Sequence, residues 1–190
     1  MDTHARKIHE DQLDDTPETI DGRGFAEALK ITDTVRVLVG RKTLIGGTED
    51  CLDAVRVANL TAANCTMVAG PDTRTFITAK GSAMLHVYRN IVFRGRPRWW
   101  SVSLGDWTLY NHDASIPPMR KVVFQNVRRA DGKSWVLLQL YCREVIAENC
   151  PGMIRINLFP FMPIWFWILR KLRKAPAAAK DARREWMNAL

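Results

Sequence analysis

The chain has 190 residues, of which 47% are hydrophobic, and a net charge of +8. A chain of this length can bury one core, so a single domain is expected. The positive charge suits nucleic acid, anionic lipid or acidic glycan, but the sequence contains no recognisable nucleic-acid-binding module, and nucleic acid is not expected as a partner. The charged first residues lack the apolar segment of a cleavable signal. An intracellular or virion-borne protein is favoured over a secreted one.

The four cysteines form no Cys-x-x-Cys pair, and no histidine stands at metal-ligand spacing from them. Neither a zinc site nor any other cofactor is therefore expected. Cys65 and Cys150 occupy the same place in a repeated unit, which predicts free thiols in apolar core positions.

The first 33 residues are polar and rich in acids, and they are predicted to form an N-terminal arm or cap. Within them, Phe25, Ala28 and Leu29 would share a face of a short helix over residues 24–30. The segment would be a disordered tail, an end cap or an arm that orders on a partner. Val35, Val37 and Val39 then alternate with other residues and mark the first clear strand.

A repeated unit follows, in which alternating apolar residues are closed by an asparagine. Alternation predicts a half-buried strand, and asparagine predicts a turn because it tolerates left-handed backbone geometry. The unit begins at Leu60 and returns after steps of 25, 37 and 23 residues. It closes at Asn64, Asn90, Asn126 and Asn149. Such a period predicts a coil of strands in which each asparagine stacks on the one in the preceding turn. A β-sandwich is the alternative, since short strands between turns suit it as well.

The inward residues of five successive turns are predicted from this alternation. They include Leu52, Ala54, Leu60, Ala62, Leu85, Val87, Val122, Phe124, Val136 and Leu138. The segment EDCLDAVRVANLTAANCTM, residues 49–67, resembles a rung of the right-handed parallel β-helix, the pectate-lyase-like fold. The resemblance covers residues 34–158. It implies an all-β, short, single-stranded β-helix of about five turns, followed over residues 159–190 by an apolar, Trp-rich tail and a terminal helix.

The resemblance also supplies motifs against which catalysis can be judged. The polygalacturonase-like branch has an Asp-Asp pair after a glycine, then a Gly-His-Gly and an Arg-x-Lys. Only Thr48-Glu49-Asp50-Cys51 is similar to the first of these. Asp50 and Asp53 are weak catalytic candidates, because glycoside hydrolysis needs two carboxyl groups at a defined separation. The favoured interpretation makes Glu49 and Asp50 turn residues and Asp53 a solvated, outward side chain.

An insertion, GDWTLYNHDASIPPMRK, interrupts the fourth turn at residues 105–121. Solenoids place insertions on one face, which is often the binding face. Trp99, Trp100, Trp107 and Tyr110 are candidate binding or interface residues there, since aromatic planes suit sugar rings or another subunit. Packing over the solenoid itself is the simpler interpretation. His112, beside Asp113, is the third weak catalytic candidate.

The C-terminal tail concentrates large apolar residues. Phe161, Trp165, Phe166 and Trp167 are candidate interface residues. Residues 158–169 are twelve in number and include Pro160 and Pro163, and they are too few for a membrane crossing, which needs about twenty. A cap on the solenoid end or a subunit contact is favoured, and a membrane surface is the alternative because tryptophan beside a basic cluster suits one.

Five turns bury little apolar surface by themselves, which favours assembly. Short β-helices of this kind resemble those of bacteriophage tails and capsids. The resemblance implies a non-enzymatic structural or attachment protein of a virion, made in the host cytoplasm. Its partners would be copies of itself, with a trimer favoured, other virion proteins and, as a further candidate, a glycan. The rival functions are a carbohydrate-active enzyme and a peripheral membrane protein.

Overall fold

The computed structural model describes residues 4–81, 83–105 and 118–162, together with residues 164, 165 and 168. This part of the chain is an all-β parallel solenoid of about six turns. Every strand pair in it is parallel. The predicted coil of strands requires this arrangement, and the alternative β-sandwich does not allow it. The strands form three faces that run along the solenoid.

The first face is formed by β1 (His4–Ile8), the first part of β4 (Glu27–Gly40), the first part of β6 (Asp50–Ala63), β8 (Thr75–Lys80), β11 (Val102–Leu104), β14 (Trp135–Gln139) and β16 (Met153–Asn157). The second face is formed by β2 (Gln12–Asp14), the second parts of β4 and β6, β9 (Leu85–Arg89), β12 (Met119–Gln125) and β15 (Cys142–Glu148). The third face is formed by β3 (Glu18–Asp21), β5 (Lys42–Ile45), β7 (Thr66–Val68), β10 (Val92–Arg94) and β13 (Arg128–Arg129).

The corner between the second and third faces is built by the predicted asparagines. Asn64, Asn90, Asn126 and Asn149 all have positive φ, between 49° and 57°. The side-chain amides of Asn90, Asn126 and Asn149 each donate a hydrogen bond to the asparagine of the preceding turn, at 2.8 Å, 2.9 Å and 2.7 Å. The predicted asparagine ladder is therefore confirmed. Since it keeps the corners in register, it fixes which residues of the flanking strands lie opposite one another.

Stacked aromatic rings fill the middle of the core. The rings of Phe76 and Phe93 lie 4.6 Å apart, and those of Tyr88 and Phe124 lie 5.2 Å apart. Trp135 packs against Phe93 and Phe124 and is almost fully buried. These five side chains come from both halves of the chain, so they join the middle turns into one core.

The inward residues were predicted correctly in some turns and wrongly in others. Leu52, Ala54, Leu60, Ala62, Val122 and Phe124 are buried in the core, as predicted. In β9, however, His86 pairs with Leu60 of β6, and Tyr88 pairs with Ala62 of β6. His86 and Tyr88 therefore point inward, while Leu85 and Val87 point outward. The prediction placed Leu85 opposite Leu60, one residue out of register, and such a slip exchanges the two faces of a strand.

The same exchange occurs in β14. Leu137 lies in the main core, not Val136 and Leu138. Leu138 is buried on the outside of the solenoid, in a second cluster with Leu140, Tyr141 and Met162. All four cysteines are free, and Cys65 is buried as predicted, whereas Cys150 is half-buried.

The predicted N-terminal arm is a full turn of the solenoid from residue 4 onward, and the predicted helix over residues 24–30 is wrong. Leu29 lies in β4, between Arg6 of β1 and Leu52 of β6. The acids of this turn are held by Lys42, which is 2% exposed and donates to Asp14 Oδ1 at 2.9 Å. Pairing on both sides overrides the weak helical pattern, and the buried lysine explains why an acidic segment can fold here.

The described part of the C-terminal tail begins with a single 3-10 turn, Phe159–Phe161. Met162 follows and is buried in the second cluster, whereas Phe161 is 64% exposed. Among the described residues, no helix is both long and apolar enough to cross a membrane. The predicted terminal helix lies outside the described residues.

Candidate functional site

A groove of about 820 Å³ lies on the outer side of the first face. Its floor is lined by Asp50, Thr75, Thr78, Lys80, Ser103 and Gly105. Its rim is lined by Glu49, Arg74, Arg98, Trp99 and Trp100. The groove therefore combines hydroxyl groups, two carboxyl groups, one ammonium group, two guanidinium groups and aromatic rings.

The position of the groove floor follows from the alternation of inward and outward side chains along each strand. Leu52 and Ala54 point into the core, so Asp53 between them points outward. In the next two turns Thr78 lies opposite Asp53, and Ser103 lies opposite Thr78. Three polar side chains from successive turns thus form one outward row.

Asp50 presents a carboxyl group whose environment disfavours its charge. The residue is 4% exposed, and Thr78 Oγ1 donates a hydrogen bond of 2.8 Å to Asp50 Oδ1. Burial and, after it, the charge of Asp53 raise the pKa of Asp50 to about 8. At neutral pH the protonated carboxyl group can donate a hydrogen bond into the groove as well as accept one.

Asp53 lies beneath this surface and is fully buried. Lys30 Nζ donates to Asp53 Oδ2 at 3.0 Å, and Lys80 Nζ lies 3.4 Å from Asp53 Oδ1. Burial opposes the charge of Lys30, but the carboxylates of Asp53 and Glu27 outweigh it and raise the pKa of that lysine. The carboxylate is thus enclosed by two ammonium groups.

The predictions for the two aspartates are therefore corrected. Asp50 lies in strand β6 and not in a turn, and Asp53 points outward but is neither solvated nor accessible. The prediction treated each strand alone. It could not foresee that Lys30 of the preceding turn and Lys80 of the following turn close over the carboxylate of Asp53.

The rim contains Trp99 and Trp100, two of the three predicted tryptophans that the structure describes. Trp99 is 60% exposed, and the guanidinium of Arg74 lies 5.0 Å from the centre of its ring. Arg74 is held in turn by Glu49, at 3.0 Å. Trp100 lines the groove and packs against the second hydrophobic cluster. The structure thus brings Trp99 and Trp100 together with Asp50, which the sequence analysis had treated separately.

The remaining predicted residues do not line the groove or cannot be placed. Phe161 and Trp165 are exposed near the C-terminal end. Trp107, Tyr110, His112, Phe166 and Trp167 lie outside the described residues. Gly105, which lines one end of the groove, directly precedes the undescribed residues 106–117.

Sequence reasoning missed Lys30, Thr78, Lys80 and Ser103. A signal for two of them was present, because Asp53, Thr78 and Ser103 follow one another at intervals of 25 residues. Aligning the turns at that interval would have placed all three in one outward row. The lysines carry no comparable signal, since their role depends on which carboxylate lies beside them.

The chemistry of the groove suits a polyhydroxylated ligand such as a saccharide, because a flat indole face lies near hydroxyl groups and a protonated carboxyl group. Glycoside hydrolysis needs two carboxyl groups that both reach the substrate or its water. Asp50 and Glu49 both line the groove, and Glu49 pairs with Arg74 at 3.0 Å, whereas Asp53 is fully buried between two lysines. Within the described ranges, no group of three His, Cys, Asp or Glu side chains could hold a metal ion.

The strand pairing defines the class of this protein as a parallel β-solenoid. No protein-family model matches the chain, and neither does any curated protein or any solved structure.

Proposed function

We propose that this chain is a non-enzymatic structural or attachment protein, a rigid solenoid that assembles with copies of itself and with other proteins. The observation that carries the proposal is the C-terminal end of the solenoid. Among the described residues, β15 and β16 stand at the ends of the strand order, and Ile154, Ile156 and Phe161 are exposed. A terminal strand beside exposed apolar side chains favours contact with another chain.

The setting in a virus-like particle is part of the proposal and rests on a likeness of fold. Short right-handed β-helices of bacteriophage tails and capsids have this size and shape, and they commonly form trimers. A likeness of fold does not carry function by itself. The chemistry of the groove adds a compatible role, since an attachment protein needs a surface that binds without turnover.

The mass in solution tests self-assembly. Light scattering without detergent should give a multiple of the chain mass of 21.7 kDa, with a trimer favoured. The double variant Ile154→Thr, Ile156→Thr keeps β-branched residues in the strand and should lower the mass. Val68→Thr, on the third face, is the matched control and should leave it unchanged. A monomer at every concentration would contradict the proposal.

A carbohydrate-active enzyme is the second candidate, and Asp50 is the observation that favours it. Its protonated carboxyl group faces the groove near Trp99, where a general acid could stand. Under the main proposal, oligosaccharides bind the wild-type chain and are recovered intact. Release of reducing ends by the wild-type chain, abolished in Asp50→Asn with the fold unchanged, would establish the enzyme instead.

A further inference from the structure

The outer side of the second face carries a row of side chains that runs the length of the solenoid. Each turn contributes one residue, and each of these residues lies opposite the next one on a neighbouring, hydrogen-bonded strand. The row consists of Leu13, Leu38, Thr61, Val87, Val123 and Ile146. Thr61 is its only polar member, and none of the six is fully buried.

Neighbouring apolar residues widen this row. Leu13 is 73% exposed at one end, and Val35, Met84 and Leu85 are also exposed beside it. Single exposed apolar residues are ordinary on protein surfaces, but a contiguous apolar face marks an interaction site. A hollow of about 390 Å³ over Asn59 and Thr61 interrupts the face between Leu13 and Leu85.

We propose that this row is a contact between two copies of the chain, packed antiparallel about a two-fold axis at Val87. Val87 then meets Val87 of the second copy, Thr61 meets Val123, and Leu38 meets Ile146. The hollow over Thr61 receives the Val123 side chain. The inference rests on the self-assembly proposed above and adds the surface, the partner and the orientation.

The charged residues beside the row favour the antiparallel orientation. One margin contains Asp11, Arg36, Asn59, Leu85, Lys121 and Glu144, in successive turns, and Lys121 pairs with Glu144 within the chain at 3.4 Å. Antiparallel packing places Arg36 of each copy opposite Glu144 of the other, which gives two attractive pairs. The other margin brings the two copies of Arg89 together, which is one repulsive contact. Opposite charges across an interface fix register more than they add affinity.

Parallel packing about a two-fold axis along the solenoid gives a poorer match. That axis pairs each turn with the same turn of the second copy. Within each turn, the residue on one margin then faces the residue on the other margin of the second copy. Glu144 would then face Glu148 twice, and Arg36 would face Gly40 without a partner for its charge. The balance of attractive and repulsive contacts therefore selects the antiparallel arrangement.

The size of the face allows a weak contact. Five of the six turns overlap in this arrangement, because Leu13 lies beyond the end of the second copy. With turns about 4.8 Å apart and strands of up to seven residues at about 3.3 Å each, the overlap is about 19 Å by 23 Å. Two such faces bury about 900 Å² in total, which is in the range of weak, transient contacts. By itself this two-fold contact gives a dimer that dissociates on dilution. It is distinct from the contact at the C-terminal end, which the favoured trimer would use.

Cross-linking of single cysteines tests the orientation. The parent is Cys150→Ser, because the other three native cysteines are buried. A short bismaleimide is needed, since sheets packed face to face lie about 10 Å apart, beyond the reach of a disulfide. Val87→Cys should cross-link with itself, Leu38→Cys alone should not, and a mixture of Leu38→Cys with a size-tagged Ile146→Cys should give a mixed dimer. Cross-linking of Leu38→Cys with itself would overturn the proposal.

A charge placed on the row separates this inference from the proposed function. Val87→Asp should weaken self-association by about 100-fold or more, because it buries two unpaired charges in the contact. Thr66→Asp, at an outward position of the third face, is the matched control, and circular dichroism checks both folds. An oligomer that persists in Val87→Asp would overturn the row while self-assembly stands. A wild-type monomer at all concentrations would overturn both.

Reversal of one ion pair gives a second measure. Arg36→Glu places a glutamate of each copy opposite Glu144 of the other, which makes two repulsive contacts and should weaken the dimer. Combining Arg36→Glu with Glu144→Arg should restore it. A double variant that is as weak as the single one would overturn the antiparallel register.

Discussion

The side-chain amide of Asn126 donates a hydrogen bond of 2.9 Å to Oδ1 of Asn90, and both residues have a φ of 54°. Asn126 also accepts a bond of 2.7 Å from Asn149. Each asparagine thus performs two tasks at once. It adopts the left-handed backbone that the corner requires, and it links its turn to the neighbouring turns.

Asn126→Ala should therefore destabilise the fold by about 2–5 kcal/mol. The substitution removes two hydrogen bonds of about 0.5–1.5 kcal/mol each and places alanine in the left-handed region at a cost of about 1–2 kcal/mol. Urea unfolding followed by circular dichroism measures the change. Asn126→Gly is the control, because glycine adopts this conformation freely, and it should be about 1 kcal/mol less destabilising. Equal losses would show that the hydrogen bonds alone matter.

The buried Asp50 should make the fold less stable as the pH rises above neutrality. Its pKa is raised to about 8 in the folded chain from an ordinary value of 3.8. Between these values the folded chain holds a proton that the unfolded chain has released, so the free energy of unfolding falls as the pH rises.

The titration of His86 has the opposite effect on the free energy of unfolding over part of that pH range. Burial lowers the pKa of His86 from 6.5 to about 4, so the unfolded chain binds the extra proton and stability falls on acidification through this window. The two effects oppose each other between pH 4 and 6.5, and from pH 6.5 to 8 Asp50 is the group among the described residues whose raised pKa governs the change. Asp50→Asn should remove the decline in that window, as measured by urea unfolding at fixed pH values. A decline that persists unchanged would show that Asp50 is ionised in the folded chain.

The asparagine corners could be predicted from the sequence because their signal is local. A left-handed residue at a strand end depends on that residue, and its return in each turn reveals the coil. The direction of each strand's side chains depends on register instead. Because Leu85 and Val87 are hydrophobic, they are expected to point inward. The 26-residue interval from Asn64 to Asn90 instead places His86 and Tyr88 at the inward positions.

The groove was only partly predictable for a related reason. Trp99 and Asp50 could be selected one by one as exposed aromatic and acidic candidates. Their meeting depends on stacking of turns, and the burial of Asp53 depends on lysines contributed by two other turns. The outward apolar row on the second face became visible only after the register of β9 was known.

The buried Lys42 should be essential to the first turn. Its Nζ lies 2.9 Å from Asp14 Oδ1 and 3.3 Å from Glu18 Oε2, and it holds the pKa of Asp14 well below its usual range. Lys42→Met should destabilise the fold by about 1.5–3 kcal/mol, because it removes the buried hydrogen bond to the charged Asp14, while Arg6 still pairs with Asp14 at 3.1 Å. Urea unfolding measures the loss.

The neighbouring Arg41 is the matched control for Lys42. It pairs with Asp15 at 3.4 Å, but both side chains are more than half exposed. Arg41→Met should therefore cost only about 0–1 kcal/mol. Similar losses for the two variants would contradict the view that the N-terminal segment is a buried part of the solenoid and would indicate a loosely attached arm.

Trp99 should contribute to ligand binding without contributing to stability. Its ring is largely exposed at the rim of the groove, with Arg74 against it. Trp99→Ala should weaken the binding of an oligosaccharide chosen from a glycan array by about 3- to 10-fold, the loss expected for an aromatic contact of about 0.5–1.5 kcal/mol. Thermal unfolding should not change. Phe161→Ala, an equally exposed aromatic residue outside the groove lining, should leave both quantities unaltered. Equal weakening by the two variants would place the saccharide elsewhere on the solenoid.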